Sequence, residues 1–305
     1  MSLDGPLPYY GGKKTTAQHI IPHFPKGATL YVEPFFGGGG VFFQMPKELF
    51  HVQVINDLNK SIVTFYRVLR TRVDELIRVC ELTPYALEEH RACKRFSEDN
   101  PEDELEVARR VWVRARQSFG GDQTETVSWR RVGVNHTQSD STEVQLRHLR
   151  DYAARFRSVH IDCEDATQLV SRYAKPGAFI YEDPPYHIES RSSSGGYQYE
   201  MTEAQHLGLF DANEAATKLG AKIMISGYGG AFYDQTYKNW RRTEFTRYNM
   251  ITNPKDGQVL KTEVLWMNYP ASEEIGAHWQ SSTPKGKSAA EKGILKALRG
   301  RGIVR

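Results

Sequence analysis

The sequence is poor in the features that define secreted, membrane-spanning and metal-clustered chains. Only three cysteines occur in 305 residues, Cys80, Cys93 and Cys163, with no C-x-x-C pair and no histidine at zinc-ligand spacing. That argues against a disulfide scaffold and a structural zinc site, and predicts a reduced, cytoplasmic setting with no metal. No apolar run approaches the ~20 residues that a membrane span needs. The N-terminus lacks the basic and apolar segments of a secretory signal, so no membrane partner is expected. Charge of one sign is missing too: 40 Lys and Arg face 37 Asp and Glu, a formal net charge of +3. A whole-molecule field therefore gives no argument for nucleic acid. Locally the balance differs, because residues 281–305 carry seven basic side chains against Glu291 alone, a net +6, and the first 280 residues stand at −3.

With 39% hydrophobic and 25% charged residues, the chain has the composition of a globular protein with a sizeable core. Short runs rich in β-branched or aromatic residues predict buried parallel strands at Thr29 to Glu33, Val52 to Asn56, Val159 to Asp162, Ala178 to Glu182 and Lys222 to Ser226. From Thr202 to Lys218, apolar residues recur at helical spacing behind a Thr-Glu start. The alternation predicts an α/β sheet with helices on both faces. Residues 61–149 break the rhythm. They read as helices at Ile62 to Val79, Pro84 to Phe96 and Glu102 to Gln117, then as a β-hairpin around Thr126 to Val134, which is the pattern of an inserted module. The expected division is a discontinuous core of residues 1–60 and 150–280, the insert at 61–149, and a basic, flexible tail at 281–305 with one short helix from Ser288 to Leu298.

Two strand ends carry the chemistry. Asp183-Pro184-Pro185-Tyr186 follows Ala178 to Glu182 directly. Two prolines cannot extend a central strand, so the chain turns out at the carboxyl edge of the sheet, where open α/β sheets bind ligands. An ionised Asp183 and the Pro184 carbonyl are both acceptors, suited to an amine with two hydrogens to donate, while Tyr186 can stack on the ring bearing it. Glu33-Pro34-Phe35-Phe36 followed by four glycines, Gly37 to Gly40, also ends a strand. The glycines are contiguous and no Lys-Ser/Thr follows, so a nucleotide-phosphate loop fits poorly. A loop for the methionine part of S-adenosylmethionine fits better, with Asp57 at the end of the next strand to take the ribose hydroxyls.

Taken together, these residues resemble the Dam-like, D12 class DNA adenine N6-methyltransferases, over most of the chain and in the family's order. Tyr9-Tyr10-Gly11-Gly12-Lys13 is similar to the family's W-x-G-G-K motif, with Tyr9 where Trp is usual. The resemblance implies a Rossmann-like methyltransferase sheet and a cofactor site of Tyr9, Tyr10, Lys13, Glu33, Pro34, Phe35, Gly37, Gly38, Gly39, Asp57, Asp165 and Asp183. In His160 to Asp165, Asp165 resembles the acid that approaches the cofactor's adenine, although Ala166 stands where the family often has an aromatic. Lys261 to Tyr269 resembles the final strand. Asp183, Pro184, Pro185 and Tyr186 are the implied catalytic residues, acting by direct transfer to a flipped base.

Cytosine C5 chemistry would need a thiolate, normally from a Pro-Cys pair, and the residues before the three cysteines are Val79, Ala92 and Asp162. The motif order favours adenine over N4-cytosine. N4-cytosine or RNA adenine methylation on the same core stands as the alternative, beside a catalytically silent DNA-binding relative. The insert is expected to recognise double-stranded DNA. Between Arg109 and Arg131 it carries six arginines against Asp122 and Glu125, and Arg116, Trp129, Arg130 and Arg131 are the candidate contacts, since arginine serves both phosphates and guanine edges. A cognate restriction endonuclease and a monomeric or weakly dimeric state complete the expectation. Ser190 to Gly196 reads as a mobile loop, and His187 as a pocket wall.

Overall fold

Seven strands form one sheet in the computed structural model, which describes residues 5–9, 12–13, 15–94, 103–118, 129–130, 145–188, 199–248 and 260–276. The strands are β1 (Leu30–Glu33), β2 (Val52–Asn56), β3 (Val159–Asp162), β4 (Ala178–Glu182), β5 (Lys222–Tyr228), β6 (Arg241–Tyr248) and β7 (Leu260–Met267). Their order is β3-β2-β1-β4-β5-β7-β6. The first five run parallel, whereas β7 is antiparallel to both β5 and β6. The five strands read from apolar runs are present, two within a residue or two of the expected ends and the other three with the same bounds, and the final strand expected at Lys261 to Tyr269 is β7. Edge strand β6 was not expected: its charged alternation, Arg241-Arg242-Thr243-Glu244, lacks the apolar run of a central strand, and charge suits an edge.

Successive side chains of a strand point to opposite faces, and the two cores follow that parity. Tyr31, Phe179, Tyr181 and Met224 join one cluster, and Val32, Ile180, Ile223 and Ile225 the other. The first face is covered by α1 (Ala17–Ile20), α2 (Lys60–Thr71), α5 (Glu104–Gln117) and α6 (Leu149–Arg155), and the second by α7 (Ala166–Tyr173), α8 (Glu203–Lys218) and α9 (Ala231–Thr236). Helix α8 begins as the sequence suggests: Thr202 is its N-cap, and a capping box joins it to Gln205.

The expected helix from Ile62 to Val79 is two helices, α2 and α3 (Val73–Glu81). Arg72 breaks it at φ −138°, ψ 39°, and binds Glu75 in the first turn of α3. Acidic residues at that new N-terminus suit its dipole. With α4 (Leu87–Lys94) and α5, the described part of the region is mostly helical. Its core is continuous with the sheet: Trp112 of α5 stacks on Phe65 of α2 at 6.4 Å, and both belong to the cluster that contains Tyr31 and Phe179. Of the expected hairpin, Trp129 bridges Ser118 in an antiparallel pair; residues 126–128 and 131–134 lie outside the described residues. So do the Ser190 to Gly196 loop, the tail and its expected helix.

Candidate active site

The sheet reverses its winding between β1 and β4, and ligands of open α/β sheets bind at such a point, beyond the carboxyl ends of the strands. Here that edge opens onto a cavity of about 380 Å³, within the range of small-molecule sites. It is lined by Tyr9, Lys13, Glu33 to Val41, Asn56, Asp57, Leu58, Glu164 to Thr167, Asp183 and Pro185, with Tyr199 to Met201 and α8 on a further side. The cavity thus brings together Tyr9, Lys13, Glu33, Pro34, Phe35, Gly37, Gly38, Gly39, Asp57, Asp165 and Asp183. Tyr10 lies outside the described residues.

The glycine loop is held from three sides. Asp57 accepts the Gly37 N–H at 2.8 Å through Oδ2 and the Asn59 N–H at 2.9 Å through Oδ1, while the Tyr66 hydroxyl of α2 donates to the Gly37 carbonyl at 2.9 Å. Gly38 lines the cavity and is also packed against the chain itself. A Cβ there would sit 2.8 Å from the Leu7 carbonyl oxygen and 2.9 Å from Tyr9 Cβ, so the protein's own N-terminal segment already demands the glycine. Asn56 escaped the sequence reading. Its amide donates to the Pro34 and Glu164 carbonyls at 2.9 and 3.0 Å and accepts from Glu164 N–H at 2.9 Å, tying the ends of β1 and β3 to β2. Asp165 is exposed and caps α7 by accepting the Thr167 N–H at 2.8 Å.

Around Asp183 the polar contacts are dense. Lys13 Nζ lies 2.7 Å from Asp183 Oδ1, and the Ser226 hydroxyl donates to the same oxygen at 3.0 Å. Among the described residues nothing donates to Oδ2, which leaves that oxygen as the acceptor. Lys13 also meets the Tyr186 hydroxyl, and that hydroxyl donates to Glu263 Oε2 at 3.0 Å. Lys13 Nζ stands 4.8 Å above the Tyr186 ring, whose edge contact with Tyr228 is 4.7 Å. Ser226 and Glu263 were both missed by the sequence reading. Ser226 sits on the Tyr181 side of β5 by strand parity. Glu263 lies midway along β7, and antiparallel pairing sets it opposite Tyr228, at the carboxyl end of β5; only the topology brings it here.

Burial dominates the electrostatics. Desolvation raises the Asp183 carboxyl above its ordinary value, opposed chiefly by the Lys13 charge. Glu33, which accepts the Tyr31 hydroxyl at 2.7 Å, is raised well above the usual carboxylate range by the same cause. Besides Glu33, whose burial disfavours its charged form, five acids line the cavity (Asp57, Glu164, Asp165, Asp183 and Glu200) against Lys13 as its one cation among the described residues. Such a wall favours a positively charged ligand.

Two expectations receive corrections. Arg116 does not present its guanidinium to a DNA surface: it donates to the Pro6 carbonyl and, at 3.0 Å, to Gln145 Oε1, and stacks 4.8 Å over Trp112. Burial pulls it down to about 10. A buried guanidinium needs such acceptors, which is why this position serves the fold. His187 does not line the cavity; its ring stacks on Phe232 at 4.2 Å. Arg109 and Arg110 are engaged by Glu106, and Arg109 also by Glu89. Trp129 packs on Tyr85 at 4.7 Å and His90 at 5.5 Å, while Arg130 is exposed. Arg131 lies outside the described residues. Among those residues no helix is long and apolar enough to cross a membrane, and no cluster of metal-ligating side chains occurs.

Comparison with known proteins agrees with this geometry. The chain is 26% identical to the Type II methyltransferase M1.LlaDCHI of Lactococcus lactis subsp. cremoris over 85% of its own length and 93% of that protein's. It is 26% identical to the Type II methyltransferase M.MjaIII of Methanocaldococcus jannaschii over 86% and 98%. To the DNA adenine methylase of Haemophilus influenzae it is 23% identical over 82% and 88%. Residues 9–252, which include the glycine loop, Asp57 and the Asp183 turn, match the D12 class model, and the chain belongs to the D12 class N6 adenine-specific DNA methyltransferase family.

Proposed function

We propose that the cavity binds S-adenosylmethionine and that Asp183 receives the N6 amine of an adenine flipped out of double-stranded DNA. The observation that carries this reading is that Asp183, with one carboxylate oxygen left open, shares a single cavity with the glycine loop and Asp57. The acidic lining suits a cofactor with a cationic sulfur and an amino group. Asp57 accepts the Gly37 N–H of the loop through Oδ2 and the Asn59 N–H through Oδ1, and a carboxylate at the end of β2 is the acceptor that a ribose hydroxyl calls for. When bound, S-adenosylmethionine supplies an electrophilic methyl group on a positively charged sulfur.

The residues of the chain supply position and charge. Lys13 and Ser226 hold Oδ1 of Asp183, so Oδ2 and the Pro184 carbonyl accept the two amine hydrogens and turn the nitrogen lone pair outward. Asp183 then takes the proton that the methylated amine sheds, a role for which a raised carboxyl is better suited than an ordinary one. Tyr186, its hydroxyl fixed by Glu263 and Lys13, offers its ring to the base. Lys13 and Glu263 are buried, which keeps water from competing for their hydrogen bonds.

The helical insert, with Arg130 and Arg131, is assigned to DNA recognition. The cytoplasmic location and the monomeric or weakly dimeric state belong to the same proposal, as does a cognate restriction endonuclease, motivated by relatives named as Type II methyltransferases. Titration calorimetry with S-adenosylmethionine tests the cavity. Single-molecule sequencing of DNA from cells expressing the protein tests base, atom and site at once, and finding no methylated adenine above the background of the host would overturn the proposal.

A further inference from the structure

Gly208 stands in the interior of α8, far from either end of a helix that runs Glu203–Lys218. Glycine is the poorest helix former after proline, so its presence there asks for a reason. Among the described residues the fold gives none. Gly208 is not among the glycines at positive φ, and a Cβ built on it meets no described atom within 4 Å. Gly38 and Gly39 behave oppositely, since a Cβ on either would come within 3.0 Å of the protein's own atoms. Those two are glycines because the chain needs the space.

What Gly208 does face is the cavity, with Met201, Gln205 and Leu209 beside it on the same wall. Gln205, one turn earlier, is drawn back toward the helix start, where its Oε1 accepts from Thr202 N–H at 2.8 Å and Thr202 hydroxyl at 3.0 Å. Leu209 turns into the core and is 1% exposed. The wall is therefore low at position 208 because no side chain rises there.

We propose that Gly208 is a steric notch in α8 that gives the cavity the width its cofactor needs, which makes residue 208 a determinant of cofactor binding. The inference rests on the reading of the cavity as the S-adenosylmethionine site, and goes beyond it in naming a position where helix stability and binding pull in opposite directions. Any side chain at 208 other than proline improves the helix and narrows the cavity.

The test uses Gly208→Ala and Gly208→Leu in the full chain, with thermal unfolding in the absence of cofactor and calorimetry with S-adenosylmethionine and S-adenosylhomocysteine. Both variants are expected to melt at or above the parent's temperature. Affinity for both ligands should fall a few-fold in the alanine variant and at least tenfold in the leucine variant. Leucine binding within twofold of the parent overturns the notch while leaving the cofactor site in place. A lowered melting temperature in Gly208→Ala also overturns it, because the fold would then need the glycine. If the parent itself binds neither ligand, the reading of the cavity falls first and the notch falls with it.

Discussion

Glu182 immediately precedes Asp183, yet strand parity sends it to the opposite face of β4, against α8. It is 0% exposed. Its Oε2 accepts from the Asn213 amide at 2.9 Å, with the Tyr237 hydroxyl close to Asn213 as well, while among the described residues Oε1 and Asn213 Oδ1 are both buried without a hydrogen-bond partner. Two orphaned acceptors on residues already joined by one hydrogen bond suit a proton on Glu182, which turns one acceptor into a donor. Desolvation accordingly pushes this carboxyl up to about 8. A folded value above the unfolded one means that the folded state binds the extra proton, so stability falls as pH rises from the unfolded value toward 8. At about 1.4 kcal/mol per pH unit, the folded protein should lose about 3 kcal/mol through this group between pH 5.5 and 8.5. Glu182→Gln keeps the shape and removes the titration. Urea unfolding of parent and variant at pH 5.5, 7.0 and 8.5 isolates the effect, because the other raised carboxyls, Asp183 and Glu33, are common to both. The variant should gain on the parent steadily with pH. Parallel stability curves would refute a protonated Glu182.

The remaining expectations concern the site and its surroundings. Asp183→Ala should abolish methyl transfer while calorimetry still detects cofactor binding, and turnover at the parent rate would remove Asp183 from catalysis. The rate should fall as acid protonates Asp183, and two variants should move that limb in opposite directions. Ser226→Ala removes a donor to the carboxylate that holds its pKa down and should shift the limb up. Glu263→Gln removes a negative charge that raises Asp183 and should shift it down; equal profiles in all three proteins would show that neither neighbour acts through Asp183. Arg116→Ala should cost about 1–3 kcal/mol of stability, from the lost Pro6 and Gln145 contacts, with DNA affinity unchanged. Arg130→Ala should instead weaken DNA binding with stability unchanged, as electrophoretic shifts over a salt series can show.

The strands β1, β2, β4 and β5 were legible in the sequence because each is a short run buried on both faces over nearly its whole length, which leaves little choice of structure; β3 lies at the sheet edge with only Val159 buried, and its β-branched Val159 and Ile161 marked it. The glycine loop, Asp57 and the Asp183 turn were legible for a related reason: each sits at a strand end, where a break in the apolar run coincides with residues of special backbone or charge. Periodicity also marked α8, down to its Thr202 cap. It did not show that Arg72 divides α2 from α3, since both helices keep apolar faces and the break lies in one residue's dihedrals. Arg116 reads the same in sequence whether it faces DNA or lies buried against Trp112, because charge alone carries no burial. Ser226 and Glu263 stand in strands that give no hint of a site. They reach Asp183 because β5 lies beside β4 and because β7 runs antiparallel to β5, and strand order and direction arise from long-range packing of the whole sheet.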